Sequence, residues 1–356
     1  MRENTKYNLK NIFGSTVSNQ CAIDAAKTLP WWSAIIALLL GVLLPIIPLV
    51  VSVANTHGSN YVSSVNYGID RDLAVTSLDL YDEKKTFVVD DDKILHYYDN
   101  GVEVKPNAEQ DLTPIYRYFN TKEKQYELDV YFTQREFGDS TASINDLLKE
   151  TEKHQYVLGT TIEKAEGQET STCYTPSVLI LHSKGLILRL YKHNSVNSSG
   201  SSYSGDWVCT KSGEDIITRM LTVEGKEIPA DIKSLDYVKD VFTNYKGLLD
   251  ECYITTINRM YILNTTVYFG IYVGVVVLLG LLIFILTRSK RNSNNYLKWY
   301  QCQFIMYWSS FAPGLLAMIF GFLLSTYAAM FFIVLMGLRG MWMSMRQLSP
   351  AYQTAA

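Results

Sequence analysis

Little in this sequence points to catalysis. Its five histidines, His57, His96, His154, His182 and His193, form neither an H-E-x-x-H arrangement nor a Cys/His zinc spacing. There is no Walker A loop, so the chain lacks that means of powering transport by itself. Gly200-Ser-Ser-Tyr-Ser-Gly205 has the composition of a nucleophile elbow, but the spacing fails G-x-S-x-G. No serine is followed three residues later by lysine. Asp90-Asp91-Asp92 lacks the ligand spacing of a calcium loop and reads as a solvated turn ahead of a strand. The expectation is a non-enzyme with no cofactor, no catalytic residues, no metal and no nucleic-acid partner.

Charge is missing in three long stretches. Residues 33–53 hold none over 21 positions, which is about 31 Å of helix. Residues 263–287 are a second such run, and 302–338 a third of 37 residues. The third is too long for one crossing and suits two joined by a tight turn near 321–326. The sequence therefore predicts four transmembrane α-helices, with a large extracytoplasmic α+β domain inserted between helices 1 and 2. The divisions are a cytoplasmic segment 1–30, helix 1 at 31–54, the outer domain at 55–261 and helix 2 at 262–287. A basic loop at 288–301, helix 3 at 302–322, helix 4 at 326–345 and a tail at 346–356 complete the chain. Arg339 is counted with the inner flank, and the spans are read as free of ionisable residues. That argues against an ion-coupled carrier, which needs such groups inside the membrane.

Cations set the orientation. The loop 288–298 contains Arg288, Lys290, Arg291 and Lys298 and no acid, and the tail region adds Arg339 and Arg346. Basic residues in short flanks stay on the cytoplasmic side, so both termini are expected inside. The region between the first two spans has 22 Lys and Arg against 33 Asp and Glu. The first span is longer than a signal-peptide core and follows about 30 polar residues, which fits a retained anchor. Cysteine is sparse: Cys21 and Cys302 fall on the inner side or its edge, and Cys173, Cys209 and Cys252 outside. A disulfide between Cys173 and Cys209 is the expected pairing, against the alternative that all three are small buried residues.

Along the chain, Ile12, Phe13, Val17, Cys21, Ala22 and Ala25 approach helical spacing, as an amphipathic helix on the inner leaflet would. Pro45 and Pro48 should bend or unwind the first span near its outer end. In the outer domain, 86–89, 94–98 and 102–104 read as strands, with Asn100-Gly101 as a hairpin turn. Residues 126–132 read as a strand, and 177–180 with 186–191 as a hairpin whose longer loop is His182–Gly185. Residues 194–205 read as a low-complexity polar loop. Helices are expected after Ser143, after Ser212, and from about Asp231, where Ile232, Leu235, Val238, Val241, Tyr245, Leu248 and Leu249 keep helical spacing; this last helix can continue into the second span. The many tyrosines read mainly as amphipathic strand residues. No internal repeat is evident, which weighs against duplicated transporter folds.

Small residues recur at four-residue spacing within the spans: Ser33, Ala37 and Gly41, then Gly270 and Gly274, then Ala317 and Gly321. Such residues let helices approach closely in lipid, either within this chain or against a partner. Pro313-Gly314 should kink the third span and leave a carbonyl for a neighbouring helix to satisfy.

Lys27-Thr-Leu-Pro-Trp-Trp32 opens the first span and Leu44-Pro-Ile-Ile-Pro48 closes it. Near the other end lie Tyr296-Leu-Lys-Trp-Tyr-Gln-Cys-Gln-Phe-Ile-Met-Tyr307, Ser309-Ser-Phe-Ala-Pro313-Gly-Leu-Leu316 and Met341-Trp-Met-Ser-Met-Arg-Gln-Leu-Ser-Pro350. In these segments and in the order of its parts the chain resembles the maltodextrin-utilisation MalA-like family of bacterial membrane proteins. The resemblance implies a non-enzymatic accessory subunit of a carbohydrate ABC importer. Its implied partners are the lipid bilayer, importer permease subunits and an oligosaccharide. The alternative is a membrane-anchored receptor or regulator that senses an extracellular ligand or envelope state. Reporters fused after residue 356 and within 55–261 should fall in opposite compartments; the same compartment for both would overturn the topology.

Overall fold

A computed structural model describes residues 10–63, 69–105, 113–120, 125–134, 176–190, 201–230, 235–288, 292, 294–324 and 327–348. The chain divides into two compact units, one of residues 1–55 with 259–356 and one of residues 56–258.

The first unit is helical. α1 (Asn19–Thr28) is capped by Ser18, whose side chain accepts from the Cys21 amide. α2 (Trp31–Leu43) follows Pro30, then a 3-10 turn at Leu44–Ile46 leads into α3 (Ile47–Ala54). The turn sits where Pro45 withholds an amide from the helical ladder, which is the expected local unwinding. Residues 10–14 are also helical, and α7 (Leu235–Thr287), α8 (Trp299–Leu323) and α9 (Ala328–Met345) follow further along the chain. Residues 31–54, the apolar part of α7, and α8 are long and apolar enough to cross a membrane, and α9 is a shorter apolar helix. Many large apolar side chains on these helices are exposed, among them Leu278, Ile285, Leu323 and Met330. α8 packs against α1, α2 and α9. The core of the unit includes Leu38, Val42, Tyr272, Val276, Ile305 and Phe332.

Two sequence expectations change here. α9 runs unbroken through Arg339, so a cation lies inside the last apolar helix rather than in its flank. The charge ended the uncharged run without ending the helix, because arginine is a good helix former. The supposed apolar stripe of the N-terminal segment also splits: Ala22 and Ala25 are buried, whereas Phe13 and Val17 are 71% and 90% exposed.

The second unit is α+β. β1 (Lys85–Val89), β2 (Leu95–Asp99) and β3 (Val102–Glu103) form an antiparallel meander. Asn100 and Gly101 turn between β2 and β3 with φ of 50° and 80°, the paired positive values a two-residue primed turn requires. A five-stranded sheet runs β4 (Tyr116–Asn120), β5 (Gln125–Thr133), β6 (Ser177–His182), β7 (Gly185–Leu190), β8 (Ser201–Asp206). Only β5 and β6 pair parallel.

One face of this sheet offers Leu128, Val130, Phe132, Leu179, Leu181, Leu186 and Leu188 to the core. Among the described residues the helices of this unit are α4 (Asn60–Ser63), α5 (Ile69–Asp82), α6 (Ile216–Leu221) and the first half of α7. Leu73, Leu78, Ile217, Val241, Tyr245 and Leu249 bring α5, α6 and α7 into the same core. The α6 N-terminus is capped by Asp215, which accepts from the Thr218 amide at 2.9 Å. As the helical spacing anticipated, α7 starts near 235 and continues into the second apolar run, so one helix belongs to both units.

The β6–β7 hairpin closes more tightly than expected, since His182 pairs with Gly185 and only Ser183 and Lys184 remain in the turn. A Cβ on Gly185 would overlap the Gly205 carbonyl of β8, so glycine permits that strand to approach. Residues 201–205, read as polar loop, instead belong to β8. Their serine-rich composition hides an alternation in which Tyr203 is buried and donates its hydroxyl to the Leu249 carbonyl at 2.6 Å. Other tyrosines turn inward as well: Tyr237 donates to the Leu221 carbonyl at 2.8 Å, and Tyr61 and Tyr253 join hydroxyls at 3.0 Å. The helix expected after Ser143, Ile232 and the 194–200 part of the polar loop lie outside the described residues.

Candidate functional site

Two polar constellations lie within otherwise apolar surroundings, one in each unit. In the helical unit the starting point is Pro313, inside α8. Proline has no amide to give the carbonyl four residues earlier, so the Ser309 oxygen is released from the ladder. Arg339 Nη1 donates to that oxygen at 3.0 Å. The same guanidinium donates through Nε to Asn19 Oδ1 at 3.0 Å and through Nη2 to the Ser15 carbonyl. All three acceptors are neutral oxygens. A cation in an apolar setting is costly unless its donors are used, and each such bond to a charged group is worth about 1.5–3 kcal/mol. Arg339 thus joins α9, α8 and the segment before α1.

One residue beyond Pro313, α8 meets α2 at backbone distance. A Cβ on Gly314 would overlap the Gly41 carbonyl, and one on Gly41 would fall 2.8 Å from the Ser310 carbonyl carbon. Ser310 Oγ also lies 3.5 Å from the Ala37 carbonyl. Ala37 and Gly41 therefore stand against α8, and Ala317 and Gly321 are buried on α8 itself. Ser33 turns its hydroxyl back to the Pro30 carbonyl. At Gly270 and Gly274 an added Cβ would meet nothing within 4 Å, so that pair serves no close packing among the described residues. Cys209 is exposed with Sγ 3.9 Å from Thr255 Oγ1, and Cys173 lies outside the described residues.

In the 56–258 unit, α5 delivers Asp72 and Asp79 to β4 and β5. A bulge where Tyr118 and Phe119 face Leu128 and Tyr126 leaves Glu127 as the extra residue. Asp72 and Glu127 are both buried and hydrogen-bonded to each other, and Asn120 Nδ2 donates to Glu127 Oε1 at 2.7 Å. Burial first, then the bond and the charge of Glu127, pushes the Asp72 carboxyl up to about 9, against a small opposing effect of Arg71. The Asp72 carboxyl is therefore held towards its protonated form, in which it can donate to Glu127.

Around this pair, Tyr116 donates to Asp79. Arg117 grips the buried Asp129 with two bonds of 3.0 Å as its direct cross-strand partner. On the other sheet, His96 holds Asp90 at 3.0 Å and Glu103 at 2.8 Å, one with each ring nitrogen. Those two carboxylates raise the imidazole above its ordinary value. Asp90 also closes the turn before β2 by accepting from the Ile94 amide at 2.8 Å, so the aspartate triplet makes a turn here.

These groups bind protons and brace strands. Asp72 and Glu127 share a hydrogen bond, and Asn120 is a further partner of Glu127. The void of about 20 Å³ in this unit is lined by apolar residues and Tyr245, without an acid. Among the described residues no group of three His, Cys, Asp or Glu is placed to hold a metal. Sequence reading missed both constellations: Arg339 because its charge seemed to mark a flank, and Asp72 because burial of an acid is decided by tertiary packing. Comparison of the chain with protein-family models, curated proteins and solved structures finds no match.

The raised Asp72 value fixes the sign of a pH effect. Between its ordinary value of 3.8 and about 9 the folded state holds a proton that the unfolded state has lost. Stability is therefore fully present below that window and declines as pH rises through it. Asp72→Asn should flatten the fall in unfolding midpoint between pH 5 and 8.5, measured on the full chain. An unchanged slope would contradict the assignment.

Proposed function

We propose that this chain is a multi-pass protein of a bacterial plasma membrane, acting as a non-enzymatic accessory subunit of a carbohydrate importer of the maltodextrin type. In this reading residues 31–54, 262–287, 302–322 and 326–345 cross the bilayer. Both termini are cytoplasmic and the 56–258 unit is outside. The basic 288–298 flank supports that orientation. The observation that carries the role is α7, which contributes to the core of the 56–258 unit and continues as an apolar span without a break. A folded domain on such a helix suits a subunit that presents a surface outside while its spans join other membrane subunits. The chain's lack of a Walker A loop leaves energy supply to a partner. The link to maltodextrin uptake rests on the resemblance of the terminal segments.

A second reading, a receptor or regulator sensing an outside ligand or envelope state, is favoured by the proton shared between Asp72 and Glu127. That pair gives the unit a protonation-dependent core, and α7 links its packing to a span. Purification in mild detergent at native expression should recover importer permease subunits with the chain. Repeated recovery of the chain alone, with a ligand-dependent change in its 56–258 unit, would replace the first reading with the second.

A further inference from the structure

The last turn of α7, residue 292 and the end of α9 line a half-open cavity of about 320 Å³. Ile283, Leu286, Met345 and Leu348 give it apolar walls, and Thr287, Asn292 and Ser344 give it polar ones. Asn292 is already committed, donating to the Leu348 carbonyl at 2.8 Å and accepting from the Asn294 amide at 2.9 Å. Close by in the chain, Asn294 Nδ2 and Gln347 Oε1 are buried with no hydrogen-bond partner among the described residues.

Charge around the cavity has one sign. Arg288 directly follows Thr287 and Arg346 directly follows Met345, and both are exposed. Arg288 lies 4.3 Å over the Phe284 ring and Arg346 lies 4.5 Å over the Trp342 ring. The segment 288–298 has four cations, and no acidic residue occurs anywhere after Glu251. An anion entering here would find no carboxylate of this part of the chain against it.

We propose that this cavity is a binding site for an anionic phospholipid. The apolar walls take the upper part of an acyl chain, and Arg288 and Arg346 face the phosphate. The space would hold about ten waters at roughly 30 Å³ each, more than a free phosphate fills, and four of its walls gain nothing from water. A lipid satisfies both halves at once, since guanidinium groups pair well with phosphate and basic pockets at the ends of membrane helices suit anionic head groups. Asn294 Nδ2, two residues along from Asn292, is a buried side-chain donor that is still unused.

The test uses the full chain in a neutral detergent, with binding followed by native mass spectrometry and by thermal unfolding. The probes are phosphatidylglycerol, phosphatidylcholine with the same acyl chains, and inorganic phosphate. Phosphatidylglycerol should bind tightest and raise the unfolding midpoint, while phosphate alone should leave it unchanged. The double variant R288Q/R346Q should weaken phosphatidylglycerol about 25-fold, taking roughly fivefold for each arginine at a membrane surface. Ser344→Trp, which fills the cavity and keeps both charges, should remove the lipid-induced shift. Equal binding of the two lipids overturns the proposal, as does phosphate matching phosphatidylglycerol. Retention of wild-type binding by both variants does so too. If either variant fails to fold, the three-probe comparison on the wild-type chain decides.

Discussion

Pro313 takes one amide out of the middle of α8, and the Ser309 carbonyl must find a donor elsewhere. Water is the usual substitute in a soluble helix, but an apolar bundle offers none, and an unpaired carbonyl there costs several kcal/mol. Arg339 fills the vacancy, and in doing so it brings its own problem, a cation that must be surrounded by acceptors. The Ser15 carbonyl and the Asn19 side chain complete that surrounding, so the segment before α1 is held because the guanidinium needs it. The backbone contact of Gly41 with Gly314 brings α2 onto α8 one residue beyond the same proline. Three parts of the helical unit, α8, α9 and the chain from Ser15 to Asn19, thus meet around a single missing N–H, and the glycine contact adds α2 beside it.

The 56–258 unit solves a different problem. Its apolar face is ordinary leucine and valine packing, yet acids are buried beside it. Asp129 is compensated by Arg117, a charged partner in direct register that holds it with two hydrogen bonds. Asp72 is hydrogen-bonded to a second acid, Glu127, and is compensated by a proton held within that pair. The two neighbouring solutions differ in pH behaviour. An ion pair holds through the neutral range, whereas the proton-sharing pair loses its advantage as pH rises.

Much of this was legible in the sequence. Uncharged runs located the apolar helices, and Asn100-Gly101 located a hairpin because few residues accept positive φ twice in succession. The spacing from Leu235 to Leu249 located the first half of α7, and Pro313 announced that a carbonyl would need a donor. The donor itself was not legible, because Arg339 was counted with the inner cations that set orientation rather than as a group inside helix 4. β8 was hidden by serine-rich composition, since only Tyr203 and Gly205 mark the inward positions. α5 was overlooked because Asp70, Asp72 and Asp79 interrupt its apolar stripe, and Asp72 turns inward against the habit of its residue type.

The dependence of Arg339 on Pro313 is measured most directly by a double-mutant cycle on the full chain in detergent, with Pro313→Ala and Arg339→Met as the two changes. Alanine restores an amide that can bond to Ser309 within α8, so part of the reason for the arginine disappears. The cost of Arg339→Met should then be smaller in the Pro313→Ala background, with a coupling of about 1.5–3 kcal/mol, the worth of one hydrogen bond to a charged group. Additive effects of the two substitutions would contradict the account.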